Sequence, residues 1–261
     1  MVKVLIVGGT GPVGQAISKI FLANQTPFVI GSRNPTSASQ SASKWIHMDL
    51  TKNEGINKNI EDDVDTILYL ASLPYETING EPIDITLTRN LLNSIPKKNI
   101  KHFIYISIVG IDKMSFTYYK AKLECERLIK EAGIPYTILR ATQFHSLAED
   151  LGNYLLNYPM DAVSKQAKIQ PIQVEAVAIE LANIATKPPL NGTYDIGGRK
   201  IYTMKEIADS LMESRHEKTS VPPMPIIDVV LNDFTEGNNT CENISSNSNT
   251  WEEYLAEKYT K

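Results

Sequence analysis

Two short stretches combine residue types and spacings that do chemistry. The first is Val7-Gly8-Gly9-Thr10-Gly11-Pro12-Val13-Gly14, in which Gly8, Gly11 and Gly14 recur every third residue. Residues 2–7 before it form an apolar run of strand length. After it, Val13, Ala16, Ile17, Ile20 and Phe21 recur at helical spacing. A strand, a glycine turn and a helix start together make an anion site. One glycine allows the tight turn, one lets backbone approach a pyrophosphate, and one lets the helix pack close to the strand. The helix start adds N–H groups without intrahelical acceptors and the positive end of its dipole. A βα turn that binds nothing would not need three glycines in this register. Gly8, Thr10, Gly11, Pro12, Val13 and Gly14 are therefore expected to cradle the phosphates of a dinucleotide.

The second stretch is Tyr118-Tyr119-Lys120-Ala121-Lys122. Tyr118 and Lys122 stand four apart, so on a helix they share a face. A nearby ammonium stabilises a phenolate and draws its pKa down from about 10. That suits Tyr118 to give a proton to a carbonyl oxygen. Lys122 could also hold a nicotinamide ribose, and Ser107, at the end of a strand, could orient a substrate. Tyr119 is an alternative phenol, and simple packing of both rings is the plain alternative.

The end of the second strand decides between nucleotides. It reads Gly31-Ser32-Arg33-Asn34, with no acid to hold a ribose 2′-hydroxyl. Arg33 instead suits a 2′-phosphate through a charge-assisted contact, and Ser32 could add a hydroxyl. The cofactor expected is NADP(H). Asp49 is suited to bond adenine and Leu50 to pack on it, with Ala71 and Ser72 along the ribose side. Gln143, Phe144 and His145 lie where a substrate pocket would be. For Gln143 and His145 a bland hydrogen-bonding role fits as well. The four histidines are spread singly and form no metal-ligand pattern.

Strand and helix signals alternate around these residues. Strands are expected at 2–7, 27–30, 45–48, 65–70, 102–106 and 136–139, and helices at 13–23, 83–94 and 118–132, with Gly133 closing the last. The strands are apolar throughout, as burial on both faces requires. The fold expected is α/β, a Rossmann doubly wound parallel sheet with a small C-terminal substrate lobe. Residues 1–150 would form the NAD(P)-binding domain. Residues 151–261 would form a mainly helical substrate-binding lobe packed on it rather than independent. Residues 145–190 read mainly as helix, 193–196 as strand and 203–213 as helix. The Ser-rich stretch 36–42 reads as loop or short helix. Residues 235–250, rich in Asn and Ser, read as a mobile surface loop.

Bulk properties exclude other classes. The 261 residues carry a net charge of −4 without a basic run, which argues against nucleic-acid binding. No stretch of about 20 apolar residues is present, so no membrane span is expected. The N-terminus runs straight into glycines and lacks the parts of a signal peptide. Cys125 and Cys241 form no CxxC, and a cytoplasmic protein with free thiols is the plain reading.

The chain resembles the atypical short-chain dehydrogenase/reductases of the NmrA-like, NAD(P)H-binding kind. The resemblance is carried by the glycine phrase at residues 8–14, Ser107-Ile108-Val109-Gly110-Ile111-Asp112 and Tyr118-Tyr119-Lys120-Ala121-Lys122 with Glu126. Ile138-Leu139-Arg140-Ala141-Thr142-Gln143-Phe144-His145, Gln170-Pro171-Ile172, Gly192-Thr193-Tyr194-Asp195-Ile196-Gly197-Gly198 and the tail at 250–255 extend it. It implies NADP(H) binding through Gly8, Gly11, Gly14 and Arg33, with Lys122 near the nicotinamide. By analogy it also implies a possible homodimer through helices around residues 85–95 and 118–132. The function expected first is an NADP(H)-dependent oxidoreductase acting on a small carbonyl or quinone. A cofactor-binding redox sensor is the second reading. A sugar-nucleotide epimerase-like enzyme is the third, for which the chain is short.

Overall fold

The structure is a computed structural model that describes residues 2–35, 44–56, 60, 63–158, 165–215 and 227–259. The Ser-rich stretch 36–42 lies outside the described residues. Strand β1 (Val4–Val7) is buried at all four positions, because both faces of the sheet are covered. Its neighbours β2 (Phe28–Ser32) and β4 (Thr66–Tyr69) are buried throughout for the same reason. Strand β3 (Lys44–His47), at the edge, buries only Ile46 fully. The antiparallel hairpin β5 (Thr77–Ile78) and β6 (Glu81–Pro82) was not legible in the sequence.

The remaining strands are β7 (His102–Ile108), β8 (Tyr136–Ala141), the short β9 (Lys168–Ile169), β10 (Gly192–Ile196) and β11 (Tyr202–Thr203). Seven of these strands make one sheet in the order β10-β8-β7-β4-β1-β2-β3, and β9 pairs with β11. The helices are α1 (Pro12–Ala23), α2 (Ile83–Ser94), α3 (Thr117–Glu131), α4 (His145–Asn157), α5 (Val174–Ala185), α6 (Met204–Arg215), α7 (Ile227–Thr235) and α8 (Trp251–Tyr259). This is the expected Rossmann-like α/β arrangement. Gly133, with φ at +72°, follows α3 as its expected stop.

Register explains where a site forms. Val7 of β1 stands opposite both Gly31 of β2 and Tyr69 of β4, and all three strands run parallel. The residues that follow each strand therefore emerge in one layer at the carboxyl edge. Strand order reverses at β1, whose chain continues to β2 and β3 on one side before crossing to β4 on the other. Ligands of open α/β sheets bind at such a point.

The chain divides into two compact units. The first comprises Met1–Ser107, Lys120–Leu139 and Val177–Tyr194, and the second Ile108–Tyr119, Arg140–Ala176 and Asp195–Lys261. A single break after residue 150 was expected, whereas β7, β8 and β10 each pass from one unit to the other. Among the described residues no helix is long and apolar enough to cross a membrane.

In the second unit, α4, α6 and α8 pack together. Two capping boxes start the latter two helices. Thr203 donates from its N–H to Glu206 Oε2 at 2.7 Å and accepts from the Glu206 N–H at 3.2 Å. Thr250 and Glu253 repeat this at 2.7 and 3.2 Å. Beyond Thr235, which ends α7, the stretch to residue 250 is a loop, as expected, with Glu236, Glu242, Asn243, Ile244, Ser246 and Asn247 exposed, but other residues of it turn inward. Asn239 is fully buried, and Ser245 and Ser248 are also buried. Its amides and hydroxyls serve neighbouring backbone: Asn239 Nδ2 donates to Lys168 O at 2.7 Å, and Ser248 Oγ accepts from Gln173 N at 3.0 Å.

Candidate cofactor cleft and catalytic residues

The carboxyl edge of the first unit opens into a cleft of about 500 Å³. Its walls come from Val7, the glycine turn, residues 31–34, Met48, Leu50, Thr51, residues 70–73 and Leu87. Gly8 sits at φ +83°, and a Cβ there would lie 2.6 Å from the Ala71 nitrogen. A Cβ on Gly14 would lie 2.5 Å from Gly9 Cα, so a glycine is what lets α1 seat against the turn. At Gly11, by contrast, a Cβ would meet only Gly8 O at 3.6 Å and would project into open space. The turn thus keeps bare backbone facing the cleft. Gly11 caps α1 without a side-chain bond, Pro12 follows, and the first turn carries no acid. Its N–H groups and dipole are left available to an anion. Backbone of this shape fits the pyrophosphate of a dinucleotide.

The side chains at the far wall carry the charge. Arg33 lines the cleft rim, is exposed, and has no ion pair among the described residues. No carboxylate lines the cleft among the described residues. Ser32 is buried, donates from Oγ to Asn34 O at 2.8 Å and accepts from Trp45 Nε1 at 2.9 Å. Its proton thus shapes the turn that carries Arg33. Leu50 and Thr51 line the cleft, but Asp49 does not. Asp49 Oδ1 instead accepts from Thr51 N at 2.9 Å and Thr51 Oγ1 at 2.6 Å. Burial opposes its ionisation, yet these bonds, the Lys52 N–H and the Lys52 charge outweigh it and hold the carboxyl below its ordinary range. This is an Asx turn that presents Leu50. On the opposite wall, Ala71 and Ser72 line the cleft.

Lys122, on α3, is buried. Its Nζ donates to Ile106 O at 3.0 Å and lies 4.2 Å from the centre of the Tyr105 ring. Burial pushes the amine below its ordinary range, opposed by Asp84, Cys125 and Glu126. Ser107 is also buried, and its Oγ donates to Glu126 Oε1 at 2.7 Å. The hydroxyl proton that would orient a carbonyl is engaged there. Glu126 itself is fully buried and also takes Lys130 at 3.3 Å.

In the second unit Tyr118 is half-buried at the start of α3, while Tyr119 is 5% exposed and meets Phe116 edge-on at 5.3 Å. Tyr118 is therefore the accessible phenol of the pair. Gln143 is buried with both ends of its amide engaged: Nε2 donates to Asn239 O at 3.2 Å, and Oε1 accepts from Asn239 Nδ2 at 3.1 Å. Phe144 is half-buried and precedes α4. His145 is buried and stacks on Tyr254 at 4.8 Å and 12°. Burial pushes its pKa down to about 4. Within their unit Gln143 and His145 thus have packing partners of their own. Sequence reasoning passed over Thr51, whose partner Asp49 is two residues away, and Asp84 and Glu149, whose partners lie 12 and 105 residues away.

A profile described as NAD(P)H-binding matches residues 8–185, from the glycine turn to the end of α5. The chain belongs to the NAD(P)H-binding family. An NmrA-like family domain-containing oxidoreductase of Aspergillus flavus is 28% identical over 151 residues, 53% of this chain and 47% of that protein. The chain thus spans about half the length of that relative. Among solved structures, a nucleoside-diphosphate-sugar epimerase from Staphylococcus aureus superposes with a TM-score of 0.79 at 19% identity, covering 97% of this chain and 99% of that one. An NADPH-dependent quinone oxidoreductase from Escherichia coli, complexed with NADPH, gives 0.79 at 16% identity, covering 98% and 99%. These likenesses show a shared fold, and a fold hosts many chemistries.

Proposed function

We propose that this chain is an NADPH-dependent oxidoreductase that reduces a small carbonyl or quinone. The observation that carries the cofactor choice is the cleft's charge pattern. Arg33 stands at the rim after β2 without an ion pair among the described residues, and no carboxylate lines the walls. That pattern suits a 2′-phosphate and offers nothing to a 2′-hydroxyl that needs a carboxylate. Gly8, Thr10, Gly11, Pro12, Val13 and Gly14 would hold the pyrophosphate, Leu50 the adenine face, and Ala71 and Ser72 the ribose beyond β4. When bound, the cofactor supplies a hydride from its nicotinamide ring. Tyr118 delivers the proton to the acceptor's oxygen, and Lys122 keeps positive charge beneath the site. The quinone choice is supported by the solved quinone oxidoreductase of the same fold.

One observation favours a second reading, a cofactor-binding redox sensor without turnover. The Ser107 hydroxyl donates to Glu126 rather than standing ready for a substrate. Titration with NADPH and NADH, followed by addition of quinones and aldehydes, separates the readings. The reductase requires tighter binding of NADPH and its oxidation by an acceptor. Arg33→Ala should weaken NADPH about 10–100-fold and leave NADH nearly unchanged. Tyr118→Phe should lower kcat about 10²-fold or more with cofactor affinity intact. Tight NADPH binding with no oxidation by any acceptor would favour the sensor. A preference for NADH would overturn the role of Arg33.

A further inference from the structure

Tyr118 stands in the first turn of α3, and Phe116 is the last residue before that helix. A helix start leaves N–H groups without intrahelical acceptors, and Ser, Thr, Asp or Asn usually serves them from the preceding position. A phenylalanine has no oxygen to give. Asp233 of α7 supplies a carboxylate there instead. Its Oδ1 accepts from the Ser115 N–H and from the Ser115 hydroxyl, both at 2.9 Å. Its Oδ2 accepts from the Phe116 N–H at 3.0 Å and is reached by the Ser115 N–H at the same distance. These partners lie 118 and 117 residues away in the chain. A negative charge at this place also faces the positive end of the α3 dipole.

The stretch is held again at its other end. Gly110 sits at φ +77°, and a Cβ there would overlap Asn238 O, so the chain at 238 packs directly on bare backbone. Between the two contacts Ile111 and Met114 are buried. Residues 233–238 thus clamp residues 110–116. Phe116 carries the clamp into an aromatic cluster. Its buried ring meets the Tyr118 ring at 6.4 Å and 62°, and the Tyr119 ring edge-on at 5.3 Å. A shift of the Phe116 backbone therefore moves the ring that flanks the Tyr118 phenol.

We propose that Asp233 is a positioning residue for Tyr118: its carboxylate fixes the chain at 115–116 and thereby sets the Phe116 ring against which the phenol is aimed. The proposal rests on the reading of Tyr118 as proton donor given above. It makes α7, remote from Tyr118 in sequence, part of what proton transfer depends on. A misaimed acid loses rate without losing substrate.

The test is steady-state reduction of a quinone or aldehyde by NADPH. Asp233→Ala should lower kcat about tenfold, with acceptor KM and NADPH affinity within about twofold of the parent. Asp233→Asn keeps one carbonyl oxygen, which can serve Ser115 or Phe116 but not both fully, so its kcat should fall between. Ser115→Ala loses only the hydroxyl's bond and should stay within about twofold. In a Tyr118→Phe background, Asp233→Ala should lower kcat by less than about twofold more, because the proton it aims is gone. A helix start that merely loosens would cost the same factor in both backgrounds. That result, or an unchanged kcat in Asp233→Ala, overturns the proposal while the role of Tyr118 stands. If Tyr118→Phe keeps the parental kcat, or no acceptor is oxidising NADPH, both fall. Should Asp233→Ala fail to fold, Asp233→Asn carries the same comparison in the two backgrounds.

Discussion

The cofactor cleft and the C-terminal lobe solve the same problem, the placing of polar groups, in opposite ways. In the cleft, backbone does the work. Gly8, Gly11 and Gly14 bare it, α1 aims it, and side chains such as Arg33 keep their charge for something else. In the lobe, side chains satisfy each other. Glu149 is buried on α4 and accepts from Tyr254 Oη at 2.5 Å, from Lys258 Nζ at 2.6 Å and from the Tyr259 hydroxyl. Arg215 stands 3.6 Å from the same carboxylate. A site whose polar groups are open can receive a ligand. A cluster whose polar groups are closed on one another holds helices together.

The contrast predicts different failures. Gly8→Ala should be the most damaging single change in the cleft. It places a Cβ 2.6 Å from the Ala71 nitrogen at a φ of +83°. Strain and overlap together should cost about 2–4 kcal/mol and lower Tm by about 5–12 °C. NADPH binding should fall by more than about 100-fold, because the turn itself is displaced. If titration of the folded variant shows unchanged affinity, the turn is not the phosphate site.

Glu149→Ala should break stability but spare the cleft. It leaves Arg215 buried and Lys258 half-exposed without their carboxylate, a cost of about 2–3 kcal/mol after allowing for solvent around Lys258. Melts should show this, with 2′,5′-ADP affinity of the folded protein unchanged. The effect should also depend on pH. Burial opposes ionisation of Glu149, yet the bonds from Lys258, Tyr254 and Tyr259 hold its carboxyl below the ordinary value of 4.5. A lowered folded pKa means that the stabilisation is complete above the unfolded value and disappears as pH falls through the folded one. The Tm gap between the variant and the parent should therefore begin to narrow as pH falls below the ordinary value of 4.5 and close below the folded pKa. A gap that persists in acid would mean that packing of the glutamate stem, not its charge, holds α8.

The same contrast governs what the sequence could tell. The glycine turn was legible because backbone geometry demands glycine at fixed short spacing. The place of Arg33 on the cleft wall was legible because the residue directly follows the second strand. Ser107 was placed correctly on its strand end, but its partner Glu126 lies 19 residues away, and only the fold brings the two together. Asn239 was misplaced because its polarity was taken as preference for water. Its partners Gln143 and Lys168 are 96 and 71 residues distant. Helix α8 carried a local signal that went unused: Thr250 with Glu253 is a capping box. Helix α7 carried another in the spacing of Val230, Leu231 and Phe234, all buried.

The smallest expected effect is also the finest probe of the lobe. His145 is buried against Tyr254 and Trp251, and its Nε2 is buried without a hydrogen-bond partner among the described residues. Burial lowers its pKa to about 4, whereas an unfolded histidine titrates near 6.5. As pH falls through that interval the unfolded chain takes up the proton first, so stability is steady above about pH 6.5 and declines towards pH 4. His102, also lowered to about 4 by burial, adds a decline of the same sign. His145→Phe keeps the ring stack and removes both the unpartnered nitrogen and the titration. Tm at pH 7.5 should stay within about 2 °C of the parent, and its fall between pH 7 and pH 5 should become shallower, with His102 supplying what remains. An unchanged slope would mean that the folded lobe already protonates or hydrates His145. The same variant also tests the substrate-pocket expectation. If His145 only packs, kcat/KM for an acceptor stays at the parental value, whereas a raised KM with unaltered melting would move His145 from the lobe's interior to the substrate.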